Sequence, residues 1–150
     1  MIAFIRNNRF ISYFYAFCIG VIFRFTLGYI NHVLFNWSFN YISLRVSSIK
    51  SGLHILILTL LLNIVSESIS ALIAAIISGY FLYYAFRKRA FYYSLPALAI
   101  FLALNSRLWN FWKAPDLGTQ LSALIVPFLA AFIFLIVIRL FIKKAGNKES

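Results

Sequence analysis

Long apolar runs separated by short polar interruptions make up most of the chain. The runs cover residues 10–35, 51–65, 69–86, 90–106 and 120–142. A helix needs roughly 20 apolar residues to cross the hydrocarbon of a bilayer. The pattern therefore predicts an all-α fold, a polytopic membrane helix bundle forming one domain over residues 1–150. We expect four transmembrane helices, plus an N-terminal hydrophobic helix that either forms a fifth span or lies at the interface.

The sequence Ser-Glu-Ser-Ile-Ser at residues 66–70 decides how the second and third runs are connected. As one helix, Leu53–Phe86 would be about 51 Å long at the rise of an α-helix, which exceeds the bilayer. Such a helix would hold Glu67 near its middle, where a charge costs several kcal/mol. A turn would bring the carboxylate to the headgroups, and serine and glutamate are typical of helix N-termini. The sequence thus favours a turn.

The first run is interrupted by Arg24. The arginine leaves two stretches that are each too short to span, which favours a helix lying on the membrane surface. A crossing helix stays open as the alternative. The start of the chain resembles a signal peptide, with Arg6 and Arg9 before an apolar stretch. Because no small-residue cleavage site follows, we expect it to be retained.

Composition identifies lipid as the main solvent. The 150 residues are 63% hydrophobic and 11% charged, whereas soluble domains contain about 25% charged residues. Polar surface is too scarce to cover a globule in water. The single cysteine, Cys18, excludes an internal disulfide and a metal site built from cysteines.

The net charge of +11 comes from cations at the ends of the apolar runs. With a turn at the serines, one side of the membrane would hold Arg45, Lys50, Arg87, Lys88, Arg89, Lys143, Lys144 and Lys148. The other side would hold Arg107 and Lys113. The positive-inside rule then predicts that the side with eight cations, and with it the C-terminus, is cytoplasmic. We expect the membrane to be the bacterial cytoplasmic (inner) membrane. Nucleic acid is not an expected partner, because no basic helix is free to leave the bilayer.

The sequence contains no pattern typical of catalysis. The two histidines, His32 and His54, lie in different runs, and no cluster of His, Cys, Asp or Glu has the spacing of a metal site. No glycine-rich phosphate loop is present. We therefore expect a non-enzyme without catalytic residues, metal or cofactor.

Ionisable residues inside apolar runs are the candidates for function, because burying them in lipid is costly. The candidates are Arg24, His54, Glu67 and Arg107. We expect Glu67 and Arg107 to meet on the outer face, and a buried Arg24 to need an anionic partner such as a lipid phosphate. Excess cations also point to phosphate headgroups at the inner face. The residues hypothesised to bind a lipid phosphate there are Arg45, Lys50, Arg87, Lys88 and Arg89.

Small residues recur on one face of the 69–86 run, at Ala71, Ala75 and Gly79. Such a face lets helices approach closely. The pattern is typical of helix packing, either within the monomer, in a homo-oligomer or against a partner membrane subunit.

Three stretches within residues 51–143 have the character of a small four-helix membrane protein: Ser51-Gly52-Leu53-His54, the apolar run Ile73–Phe86 with Arg87-Lys88-Arg89, and Leu121–Lys144. They resemble, in that order, the turn that opens the first helix, the end of the second helix and the last helix of the GtrA-like family. Leu82 and Phe86 stand where the family has asparagines, and residues 1–45 have no counterpart. The resemblance implies help in translocating a polyprenyl-phosphate-linked sugar for cell-surface polysaccharide glycosylation, with polyprenyl phosphate as a lipid partner.

Two other classes of function fit the same composition. Plasmid- or phage-type immunity and superinfection-exclusion proteins are small, basic and polytopic. A structural subunit of a larger membrane complex would use the small-residue face as an interface. The sequence leaves these alternatives open.

Overall fold

The computed structural model describes residues 5, 7–46, 52–113 and 117–146, and within these ranges every regular element is a helix. The all-α expectation is confirmed. The elements are α1 (Arg9–Val46), α2 (Gly52–Phe86), a 3₁₀ turn (Arg87–Arg89), α3 (Ala90–Ala103), α4 (Ser106–Trp109), a second 3₁₀ turn (Phe111–Lys113) and α5 (Leu117–Gly146).

The expected turn at the serines is wrong, because α2 runs without a break through residues 66–70. The serine hydroxyls find partners inside the helix itself. Ser68 Oγ donates to the carbonyl of Ile64 at 2.6 Å, and Ser70 Oγ donates to that of Ser66 at 2.7 Å. Since each hydroxyl is satisfied by the preceding turn of its own helix, the serines do not end it.

Three stretches are long and apolar enough to cross a membrane: Arg9–Leu34, Leu60–Ala103 and Gln120–Ala145. The second includes most of α2, the basic turn and all of α3. The arrangement of four spans plus an N-terminal helix is not confirmed. At 14 residues, α3 is about 21 Å long and shorter than the bilayer core.

Contacts between the helices fix their directions. Tyr15 of α1 donates a hydrogen bond to the carbonyl of Phe81 at 3.5 Å. Farther along α1, Asn31 bonds Glu67, which precedes Phe81 by more than three turns of α2. The two helices are therefore antiparallel. Since Arg24 lies between these contacts, it does not divide α1, and the residues on either side of it pack into the bundle.

Aromatic rings form the centre of the core. The ring of Phe23 in α1 lies 4.8 Å from that of Phe101 in α3 and 4.8 Å from that of Phe134 in α5, measured between centroids. All three side chains are fully buried. Such tilted ring pairs contribute about 1 kcal/mol each beyond their packing.

The small-residue face of α2 is used inside the monomer. Ala71, Ala74 and Ala75 are fully buried. Gly79 lies close to Ile138 and Val137 of α5. Another close approach brings Gly20 of α1 against the backbone of α3. Small residues permit this packing because lipid offers no hydrophobic force between helices, so close contact has to supply the attraction.

The bundle has two chemically different ends. One, called the basic end, contains the start of α1, the turn between α2 and α3, and the end of α5. The cations described at this end are Arg9, Arg87, Lys88, Arg89, Arg139, Lys143 and Lys144. Arg139 lies 5.0 Å from the ring centre of Phe91, which links the end of α5 to the start of α3. The opposite end, called the polar end, contains α4 and the residues around Asn31 and Glu67.

Candidate functional site

A cavity of about 310 Å³ lies at the polar end, where α1, α2, α3 and α5 meet the loop before α4. Apolar side chains from the core form one part of its wall, and polar side chains form the rest. The lining residues are Arg24, Leu27, Gly28, Asn31, His32, Asn63, Glu67, Phe101, Asn105, Arg107, Val126, Pro127 and Ala130.

Glu67 is the centre of the polar wall and is only 3% exposed. Its Oε1 accepts a hydrogen bond from Asn31 Nδ2 at 2.6 Å. The same oxygen accepts from the guanidinium of Arg107, which forms an ion pair with it. A buried carboxylate is tolerable only with such partners, and both come from other elements of the bundle.

The ion pair marks the mouth of the cavity. The side chain of Arg107 is 52% exposed, whereas that of Glu67 is 4% exposed. Asn105, which is buried, holds the backbone beside this arginine, because its Oδ1 accepts a hydrogen bond from the Arg107 amide at 3.2 Å. This is an N-cap for α4, and it fixes the start of the segment that carries Arg107.

Three buried polar atoms in this wall lack a hydrogen-bond partner among the described residues. They are Glu67 Oε2, Asn31 Oδ1 and Arg24 Nε. Two of these atoms accept hydrogen bonds and one donates. Buried polar atoms are rarely left unpaired, and each such atom costs about 1–3 kcal/mol. The wall is therefore suited to bind a group that both donates and accepts.

The charges in the wall favour an anion. Among the described lining residues, Glu67 is the one acid, and Arg24 and Arg107 are the two arginines. Arg24 as a whole is half-buried, and its Nε is buried. Two guanidiniums at one cavity repel each other and attract an anion. The oxygens of a tetrahedral phosphate or a planar carboxylate can accept hydrogen bonds from their N–H groups.

Of the four intramembrane residues singled out from the sequence, the structure brings three together. Arg24, Glu67 and Arg107 all line the cavity, and the expected contact between Glu67 and Arg107 is present. The side chain of His54 lies outside the described part of the structure. Its backbone lies in the first turn of α2, about 20 Å before Glu67 along the helix axis.

Of the five residues hypothesised to bind a lipid phosphate, the four whose backbone is described are not all brought together. Arg87, Lys88 and Arg89 are exposed in the turn at the basic end. Arg45 is in the last turn of α1, about 45 Å along the axis from Tyr15, which contacts the end of α2. Lys50 lies outside the described residues. The backbone of Arg45 therefore lies far along the bundle from the Arg87–Arg89 turn.

Several cavity residues were not predicted as a site, namely Asn31, His32, Asn63 and Asn105. A periodic signal for them does exist in the sequence. Arg24, Gly28 and Asn31 recur at steps of four and three along α1, which places them on one helix face. Asn63 and Glu67 are likewise four residues apart in α2. Two polar faces in apolar helices indicate a shared interior site, but only the packing of α1 on α2 shows that they meet.

Within the described ranges, no group of three His, Cys, Asp or Glu side chains could hold a metal ion. No protein-family model matches the chain, and no curated protein or solved structure matches it either. The chemistry of the cavity therefore provides the basis for a functional assignment.

Proposed function

We propose that this helical membrane protein binds the phosphate of a lipid headgroup and acts, without catalysis, in the translocation of a polyprenyl-phosphate-linked sugar. The observation that carries the proposal is the polar cavity, where Arg24 and Arg107 outnumber the acid Glu67. A headgroup phosphate would bind between the two guanidiniums by charge-assisted hydrogen bonds. The resemblance of residues 51–143 to the GtrA-like family supports the same substrate class.

The distance between the two ends of the bundle supports a role at both membrane surfaces. Arg9 and Asn31 are about 33 Å apart along α1, and Glu67 and Arg87 about 30 Å apart along α2. The hydrocarbon core is about 30 Å thick. If the basic end lies at one interface, the cavity lies near the other, and the short segments after Arg107 carry Trp109, Trp112 and Lys113. Aromatic residues of this kind are enriched at interfaces.

Orientation follows from the cations. The basic end contains Arg9, the Arg87–Arg89 turn, Lys143 and Lys144. We assign this end, with the C-terminus, to the cytoplasm of a bacterial inner membrane, because cytoplasmic flanks are rich in Lys and Arg. The exposed Arg87–Arg89 turn would then meet phosphates on the cytoplasmic face. A protein that receives a headgroup on one face and releases it on the other needs cations at both.

The proposal is tested by the lipids that co-purify with the protein in mild detergent, identified by mass spectrometry. We expect enrichment of a polyprenyl phosphate, and its loss in Arg24→Gln. Arg24→Lys keeps the charge and should retain part of the enrichment. Arg139→Gln removes one cation outside the cavity and serves as the matched control. Bulk phospholipid in membrane proportions for the unmodified protein would overturn the proposal and turn attention to immunity or subunit functions.

A further inference from the structure

We infer that the cavity recognises a polyol phosphate, using Arg24 and Arg107 for the phosphate and Asn31 and Glu67 for a neighbouring hydroxyl group. The inference rests on the proposed function and specifies the chemistry of its ligand. A hydroxyl group on the ligand would donate hydrogen bonds to the unpaired acceptors of the wall. An anion without such a group would leave these acceptors unpaired.

The two acceptors are in one part of the cavity. Glu67 and Asn31 are 3% and 7% exposed, and the 2.6 Å hydrogen bond between them uses Glu67 Oε1 and Asn31 Nδ2. Their other atoms, Glu67 Oε2 and Asn31 Oδ1, have no hydrogen-bond partner within the described part of the chain. Neither atom can bind a phosphate oxygen, because both are acceptors. They require a ligand group that donates.

The donor that fits is a hydroxyl group. An ammonium group would also donate, but it would lie in the same cavity as the guanidiniums of Arg24 and Arg107, which repel it. A hydroxyl carries no charge and can donate to either acceptor while accepting from a nearby amide. Asn63 and Asn105 add amide groups to the lining. A phosphate ester with hydroxyls a few bonds away satisfies both sides of the wall.

Two sources supply this chemistry, namely the glycerol phosphate headgroup of a phospholipid and a glycosyl phosphate. Both carry an anionic phosphate and adjacent hydroxyls, and the wall itself does not separate them. Soluble headgroups allow the comparison without a lipid tail.

The experiment measures the affinities of four probes for the full-length protein in detergent by titration calorimetry. The probes are methyl phosphate, phosphoethanolamine, glycerol 3-phosphate and glucose 1-phosphate. We expect the two polyol phosphates to bind about tenfold more tightly than methyl phosphate, the effect of one or two added hydrogen bonds. The tighter of the two then identifies the source of the natural headgroup.

The variant Asn31→Leu removes one acceptor and should bring the ratio of polyol phosphate to methyl phosphate affinity towards one. Both affinities come from the same sample, so a partly unfolded fraction cancels from the ratio. Asn110→Leu is the matched control, because Asn110 is exposed and outside the cavity lining. Its ratio should equal that of the unmodified protein.

The remaining outcomes separate the inference from the proposed function. Equal affinities for methyl and polyol phosphates would overturn the hydroxyl assignment while leaving phosphate binding intact. Tightest binding of phosphoethanolamine would overturn it in favour of an ammonium group. Binding of none of the four probes would overturn both the inference and the proposed phosphate site.

Discussion

Glu67, in the middle of α2, forms an ion pair with Arg107 from the segment after α3, and the two side chains differ sharply in exposure. The glutamate is 4% exposed and the arginine 52%. Asn31 of α1 donates to the same carboxylate oxygen. Two elements distant in sequence from α2 thus supply the partners of this one buried carboxylate oxygen.

The unequal exposure predicts unequal effects of neutralising each partner. Arg107→Gln leaves a buried carboxylate without its cation, and we expect a loss of about 2 kcal/mol in the free energy of unfolding. Glu67→Gln leaves Arg107 without its acid, but water can solvate this exposed arginine. The amide oxygen of the new side chain at position 67 can still accept the hydrogen bond from Asn31. The expected cost of this substitution is below about 1 kcal/mol. Unfolding titrations in mixed micelles measure both values.

Arg139→Gln provides the control for loss of a cation at the opposite end of the bundle. It should change stability by less than Arg107→Gln, because Arg139 is exposed and its described contact is with the ring of Phe91. Equal losses for Arg107→Gln and Glu67→Gln would contradict the buried position of the carboxylate.

The region around Glu67 shows what the sequence could predict and what it could not. Apolar runs correctly predicted helices, because burial of backbone polar groups in lipid requires them. The serines indicated a turn because their hydroxyls usually compete with helical hydrogen bonds. Here Ser68 and Ser70 bond carbonyls of the preceding turn, which is compatible with a continuous helix. Arg107 was predicted from the sequence as a partner of Glu67. Asn31, the other partner, comes from a remote segment, and no local pattern identifies it.

Sidedness offers a direct test of the continuous α2. Because α1 and α2 are antiparallel and unbroken, Arg45 should lie on the same side of the membrane as Lys113 and opposite Lys88. Single cysteines, Arg45→Cys, Lys88→Cys and Lys113→Cys, are introduced after Cys18→Ser. A membrane-impermeant maleimide is applied to spheroplasts and to inverted vesicles. It should label positions 45 and 113 from one side of the membrane and position 88 from the other side.

A turn at residues 66–70 would predict the opposite side of the membrane for position 45. With a turn at residues 66–70, position 45 would be labelled together with position 88. Position 113 differs from position 88 in both arrangements and therefore controls for the intactness of the vesicles. Labelling of position 45 from the side of position 88 would refute the continuous helix.

Gly20 is expected to tolerate no side chain. An added Cβ would overlap the carbonyl oxygen of Ala97 and the side chain of Ile100, and the backbone of α3 cannot yield as a side chain can. Gly20→Ala should therefore cost about 1–3 kcal/mol of stability. The same unfolding titration measures the change.

Gly79→Ala is the matched comparison in another helix of the bundle. The nearest atom to its added Cβ is the terminal Cδ1 of Ile138 at 3.3 Å, which can move by a few tenths of an ångström. Alanine is favoured over glycine in a helix by about 1 kcal/mol. We expect Gly79→Ala to be neutral or stabilising, so an equal loss at both positions would argue against the close approach of α1 and α3.

The residues that line the cavity could be predicted from the sequence only in part. Arg24, Glu67 and Arg107 stand out because charges in apolar runs are rare. Asn31 does not stand out in the same way, since an amide in a membrane helix most often contacts a neighbouring helix. Its role depends on the register of α1 against α2, which is set by packing along the whole interface. Helices of 38 and 35 residues also exceed the bilayer, so its thickness does not fix that register.

Arg87 provides the last prediction, because it adopts a left-handed backbone conformation with φ of 48°. This conformation costs residues other than glycine about 1 kcal/mol because of their Cβ atom. Arg87→Gly should therefore raise the free energy of unfolding by about that amount. Arg89→Gly removes the same charge at a φ of −86° and should bring no such gain. A stabilised Arg87→Gly protein with reduced enrichment of the co-purifying polyprenyl phosphate would indicate that the arginine is kept at this strained position for its charge. A stabilised protein with unchanged enrichment would separate the turn at the basic end from lipid binding.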